Sequence, residues 1–361
     1  MSTPTLLNAP VPFVASMETI ADDEQHTIDS MSETLLKISQ TVYEDSGHAM
    51  RSVHAKSHGL IEGTLTVLDD LPPALAQGIF RSPVSYRGLM RLSTPPGDVL
   101  PDDVSTPRGA ALKLFDVPGT RLPGSAGEAS QDFVLINAPA FSTKDAKHFL
   151  GNLKLLAATT DKGEGLKQLL SAVLRGTERL VEKTGHKSAT LTSLGGHPMS
   201  HILGETFFSA AALLYGPYIA KIALAPVSEN LQALTHTLLD LRKHPDGLRE
   251  AVSTFFASQG GEWELRAQLC TNAETMPVED ASVLWSEEES PYVAVARFSA
   301  PPQTTWNAAT SPAQEDGLSF SPWHGVAEHR PLGSIMRARK DVYQASAGFR
   351  GSRNGCPIHA G

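Results

Sequence analysis

The sequence predicts an α+β protein built on an antiparallel β-barrel with helices inserted and appended. Two observations carry that expectation. Eight or so short segments rich in β-formers or alternating apolar and polar residues are bounded by Pro, Gly and Asp turns. Stretches of three- and four-residue apolar spacing lie before, between and after them, and no regular strand–helix alternation marks a parallel sheet.

In chain order, residues 1–18 read as a loose arm. Ile28, Met31, Leu35, Ile38 and Val42 then recur at helical spacing, so a helix over about 22–43 packs one face, and Gly47 ends it. RSVHAKSHG (51–59) places His54 three residues after Arg51, directly before an apolar run. That pattern fits a solvated loop entering a sheet, or a reactive histidine at the mouth of a barrel. GTLTVL, SYRGLMRLST, RGAALKLFDVPG and QDFVLINAPAF read as four strands. Residues 143–185 switch to helical periodicity, and ETFFSAAALL and YIAKIALAPV resume the strands. A helix is expected over Asn230–Arg242. WELRAQLC places Trp263, Leu265, Ala267 and Leu269 on one face. In PYVAVARFSA, Tyr292, Ala294, Ala296 and Phe298 share one face and Val293, Val295 and Arg297 the other.

Composition narrows the function. Of 361 residues 41% are hydrophobic and 19% charged, which reads as globular. The net charge of −9 argues against a nucleic-acid partner, whose backbone calls for a basic surface. Two cysteines, Cys270 and Cys356, indicate no disulfide framework and a reducing, cytoplasmic setting. The N-terminus lacks the basic segment of a signal peptide. No membrane span is expected, since the most apolar segment is interrupted by Glu205, Pro217 and Lys221.

Near the C-terminus Arg339, Tyr343 and Arg350 follow at spacings of four and seven, which on a helix gives one face. Spacing alone leaves two readings open. The arginine covers a tyrosine ring on a surface helix, or it favours the ionised phenol so that a phenolate can bind a metal.

Several segments in order resemble the catalase superfamily: RSVHAKSHG, YRGLMRLST, TPRGAALKLFDVPG, WELRAQLC with the following Trp-containing loop and strand, and LSFSPWHG…RARKDVYQASAGFR. The resemblance spans roughly residues 45–350, divides the chain into an arm and helix (1–45), a haem-binding domain (46–350) and a tail (351–361), and leaves 143–185 as a helical insertion. It implies haem b with Tyr343 as the ligand to iron and Arg339 supporting the phenolate. It further implies His54 as the distal acid–base group, Ser93 orienting its imidazole, and Arg51, Arg91 and Arg350 on the haem propionates. Val53 would narrow the distal channel. The activity implied is peroxide consumption with a reductant the sequence does not identify, and the arm could exchange within a homo-oligomer.

The chain departs from the large catalases in three ways. Ser130 or Gln131 stands near the position of their distal asparagine, with Asn137 later. Phe208 or Ser209 replaces a histidine beneath the haem, and a C-terminal helical domain is expected to be missing. These departures favour a small catalase-related peroxidase with weak catalase activity. A fatty-acid hydroperoxide isomerase or lyase is the alternative; Val53, where a threonine often precedes the histidine in that group, leans against it. A non-catalytic haem-binding protein is the second alternative. His58, His197, His201, His324 and His329 are expected to be structural or solvated, and Cys356 to lie in a frayed tail.

Overall fold

Alternation along each strand decides which side of the sheet a residue takes, and here it separates an apolar interior from a polar outer wall. The computed structural model describes residues 6–157 and 198–355, apart from positions 96, 98, 105, 126 and 128. Its strands are β1 (Lys56–Val67), β2 (Ser85–Thr94), β3 (Gly109–Leu114), β4 (Gln131–Ile136), β5 (Phe207–Phe208), β6 (Leu213–Tyr215), β7 (Tyr218–Pro226), β8 (Gly261–Leu269) and β9 (Val293–Ala300). Its helices are α1 (Glu24–Ser46), α2 (Ala146–Ala157), α3 (Glu229–Gln232), α4 (Gly247–Phe256), α5 (Ser311–Gly317) and α6 (Ser334–Asn354). The strands run in the order β5-β4-β3-β2-β1-β9-β8-β7-β6, and β5 also pairs with β7. That last pairing closes an eight-stranded antiparallel barrel and leaves β6 as a hairpin on β7. Closure removes the sheet edges.

Ile61, Met90, Leu112, Phe133, Leu265 and Phe298 belong to one buried cluster that fills the interior. The barrel is therefore a packed core rather than a pore. On the alternate positions Arg91, Ser93, Gly109, Lys113 and Asp132 face outward. Beside this wall α1, α2 and α6 pack on one another through Met31, Leu35, Ile38, Leu153 and Val342. All five apolar positions expected to be covered on α1 are buried, and Gly47, at φ 70°, terminates the helix in the left-handed conformation that glycine allows.

Several expectations are corrected. The helix foreseen over 230–242 stops at Gln232. Beyond it the chain pairs with residues 199–201, through His201 N to Thr237 O and Leu239 N to Met199 O, both 2.8 Å, and His236 turns at φ 61°. Tertiary pairing overrides a leucine-rich pattern. ETFFSAAALL is not one strand, because Ala210 at φ 57° breaks it into β5 and β6. The alternation in β9 fails at a bulge. Leu265 pairs with Ala296 and Arg266 with Ala294, so Val295 intervenes, and Val295 and Ala296 are both buried. The arm is not loose over its described residues. Val11 N donates to Cys270 O and Phe13 N to Pro217 O, each 2.8 Å, and Glu18 pairs with Arg330 and Arg337. Of the helical stretch 143–185 only α2 lies within the described residues.

Candidate haem site

Between α1 and β1 the chain enters the barrel wall through Arg51–His54. His54 adopts φ 56°, an uncommon conformation for a residue other than glycine, and its N–H donates to Pro95 O at 2.7 Å. The imidazole is half-buried. Its Nδ1 lies 3.0 Å from Ser93 Oγ, and a Cβ built on Gly109 would meet ring atoms at 2.5 and 2.6 Å. Ser93 and Gly109 are register partners across β2 and β3, so two adjacent outward positions seat one ring. With Nδ1–H donating to Ser93, Nε2 is the acceptor left over. Desolvation, with the charges of Arg91, Arg339 and Arg51, pushes the imidazole down to about 3, so it stands neutral at physiological pH. The ring is held on the outer barrel wall, beneath the helices, rather than at a barrel mouth.

The helix expected to carry Arg339, Tyr343 and Arg350 is α6. Arg339 Nη2 donates to Tyr343 Oη at 2.6 Å, and its Nη1 lies 3.4 Å from Met336 Sδ. The guanidinium also sits 5.1 Å from the centre of the Tyr343 ring. One geometry combines the ring contact with a hydrogen bond to the phenol oxygen. The Arg339 charge is among those that disfavour the protonated His54 imidazole, so the phenol's partner and the histidine are linked electrostatically. Ser52 Oγ donates to Ser346 Oγ at 2.9 Å, which ties the loop before His54 to the helix of Tyr343. Val53 and Tyr343 pack against the same α1–α2–α6 cluster.

Arg51, Arg91 and Arg350 converge. Arg91 Nε donates to both carboxylate oxygens of Glu315, at 2.9 and 2.8 Å, and Arg91 Nη2 to His54 O at 2.9 Å. Arg51 also donates to the Glu315 carboxylate, and Arg51 and Arg350 each reach Leu318 O at 2.9 Å. Burial alone would raise the Glu315 carboxyl, but Arg91 and Arg51 overcome it and hold the group at about 2. The guanidiniums suffer in return. Burial and then Arg51 bring Arg91 to about 10, and burial, Arg51 and Arg91 bring Arg350 to about 9. Positive charge exceeds negative in this cradle, and Arg350 Nε is buried without a hydrogen-bond partner. Such a cradle has room in its charge and donors for further carboxylates, the groups that haem b carries as propionates. The residues present fit that cofactor: a phenol backed by a cation, a neutral histidine, and an arginine cluster alongside.

Glu315 was not foreseen. It lies 224 residues from Arg91 in sequence, and one of two adjacent acids in SPAQEDG carries no signal of its own. The role of Gly109 was equally hidden, although the Gly that follows Pro107-Arg108 and opens an apolar strand hints at a close approach.

The remaining candidates take other partners. Ser130 accepts from Lys113 Nζ and Gln131 from Val326 N, while Asn137 Oδ1 accepts from Arg108 N at 2.8 Å. Ser209 Oγ accepts from Ile222 N and donates to Ala211 O, and Phe208 meets Tyr292 edge-on. His58 is buried against Thr94, His201 accepts from Leu203 N, and His329 accepts from Ile79 N within an aromatic cluster. His324 is 3.1 Å from Asp132. His197 and Cys356 lie outside the described residues. Among the described residues no helix is long and apolar enough to cross a membrane.

No protein-family model matches the sequence, and no curated protein matches it. Solved structures do. A fungal catalase aligns with 99% of this chain and 68% of its own at a TM-score of 0.62 and 18% identity. Catalase A from Saccharomyces cerevisiae aligns with 97% and 68% at 0.58 and 16%. A bacterial catalase aligns with 98% and 66% at 0.58 and 16%. With the closed eight-stranded barrel, the bundle of α1, α2 and α6 and this alignment along nearly its whole length, the chain has the catalase fold.

Proposed function

We propose that this chain is a haem-dependent peroxidase with weak catalase activity. The observation that carries the reading is the pairing of Arg339 with Tyr343 Oη on a helix that Ser346 ties to the loop of the Ser93-held His54. Haem bound here would supply a ferric iron at which the peroxide O–O bond is cleaved. Tyr343 Oη would hold that iron, and Arg339 would offset the phenolate's charge. Arg51, Arg91 and Arg350 would hold the propionates. His54 Nε2 takes the proton of the inner peroxide oxygen and returns it to the outer one, which leaves as water or an alcohol. Acid–base help of this kind contributes roughly 10²–10⁴-fold. Ser93 and Gly109 fix the imidazole, and Val53 narrows the approach.

The test is the absorption spectrum of protein expressed with haem supplied. The expected result is a ferric, phenolate-ligated spectrum that Tyr343→Phe loses, together with a His54→Ala protein that keeps haem but loses peroxide turnover. Protein that takes no haem, or turnover that persists in His54→Ala, overturns the reading.

A further inference from the structure

A cavity of about 610 Å³ opens beside Tyr343, walled by Phe320, Trp323, His324, Lys340 and Gln344. Its size suits a small organic molecule. Tyr343 belongs to both this cavity and the haem site, whereas His54, Arg51, Arg91, Arg339 and Arg350 do not line it. Helical geometry explains the division. On α6, Arg339, Tyr343 and Arg350 share one face, and Lys340, Gln344 and Gly348 project from the next. The cavity therefore reaches the site from the side of the phenol rather than from the distal histidine.

Its chemistry is selective. Lys340 is half-buried, and its ammonium has no ion-pair partner among the described residues; it lies 5.5 Å from the centre of the Trp323 ring. Trp323 is fixed, because its indole N–H donates to Met336 O at 2.7 Å. His324 Nδ1 is 3.1 Å from the carboxylate of Asp132, which is buried and paired with Lys113 at 2.8 Å, so the imidazole is oriented from behind. An ammonium without a counter-ion selects a carboxylate, and ring faces on Phe320 and Trp323 select a planar aromatic.

We propose that this cavity binds the reducing co-substrate, a small phenol bearing a carboxylate. The inference rests on the peroxidase reading and names the class of reductant. The reaction balances as ROOH with two phenols giving ROH, water and two phenoxyl radicals. Each phenol loses one electron and one proton, and the O–O bond is reduced.

Gly348 supplies the test, since a Cβ built there has nothing within 4 Å. Gly348→Phe extends a ring into the cavity without meeting backbone, and replacing a helical glycine does not by itself weaken the helix. The probe is 4-hydroxybenzoate, titrated into protein with and without haem while tryptophan fluorescence is followed. Wild type is expected to bind it. Lys340→Met should weaken binding at least tenfold, and Gly348→Phe should abolish it, with the haem spectrum of both variants unchanged. In steady-state assays both variants should lose 4-hydroxybenzoate oxidation. No binding to wild type, or equal binding to all three proteins, overturns the proposal. A phenolate-type haem spectrum without 4-hydroxybenzoate binding defeats this inference alone. Binding that depends on Lys340 and Gly348 in a protein that takes no haem defeats the peroxidase reading and leaves the ligand site.

Discussion

At the scale of single residues, the barrel wall keeps His54 neutral where an ordinary histidine would titrate. Enclosure and three neighbouring guanidiniums bring it from 6.5 to about 3. Peroxide turnover should therefore stay level as pH falls through 6.5 and drop only toward 3; a break near 6.5 would show that the imidazole is solvated. Two neighbours should separate kinetically. Ser93→Ala removes one hydrogen bond, worth about 0.5–1.5 kcal/mol, so turnover should fall about 2- to 10-fold. Gly109→Ala puts a methyl within 2.6 Å of the ring and must displace it, so its loss should exceed that of Ser93→Ala with the circular dichroism unchanged. Glu315 bears on stability. Glu315→Ala leaves buried guanidiniums uncompensated and should lower the unfolding free energy by about 3–5 kcal/mol, measured by urea denaturation. Its folded value lies below the ordinary 4.5, so its stabilisation is complete above 4.5 and is lost as pH falls toward 2. Glu315→Gln should show a shallower acid limb. His54, Ser93, Arg339 and Tyr343 could be named from the sequence only because several segments in order resemble one family. Glu315 and Gly109 act only through contacts that the fold creates.

At the scale of elements, legibility follows how much of a segment's environment is set by its own period. The helix α1 was readable because one stripe of five apolar residues is covered along its length. Truncating its centre should be costly. Leu35→Ala leaves a cavity between α1 and its neighbouring helices and should destabilise by about 2–5 kcal/mol, read from the shift in urea midpoint at constant slope. Residues 230–242 are richer in leucine than α1, yet the chain there is spent on pairing with residues 199–201. The bulge at Val295 likewise belongs to a two-strand relation between β8 and β9 and leaves no trace in either strand alone. Position also limits what a motif reveals: α6 was recognisable from its three spaced side chains, but its neighbouring face, with Lys340 and Gly348, acquires meaning only beside Phe320 and Trp323.

At the scale of the whole molecule, closure of the barrel depends on its shortest strand. β1 and β2 pair from Lys56–Thr94 to Thr66–Ser85, whereas β5 contributes only Phe207 and Phe208, paired to Ile136 on one side and to Leu224 and Ala223 on the other. Few ladder bonds cross that seam, and Phe207 side-chain burial is what holds it. Local opening should begin there. In native-state hydrogen exchange, the amides of β5 and its partners at the end of β4 should exchange well before those of the β1–β2 ladder. Phe207→Ala removes a ring from the core at the seam and should cost about 3–5 kcal/mol. In that variant β5 protection should fall further than the β1–β2 protection does, because the seam can part while the long ladder persists. If all strands instead exchange at one common rate, in wild type and variant alike, the barrel opens as a unit and the seam has no separate stability. The distinction matters for the proposed site, since Arg91, Ser93 and Gly109 lie on β2 and β3, on the long-ladder side of the barrel. A seam that opens first would let the barrel breathe while the wall that seats His54 stays intact.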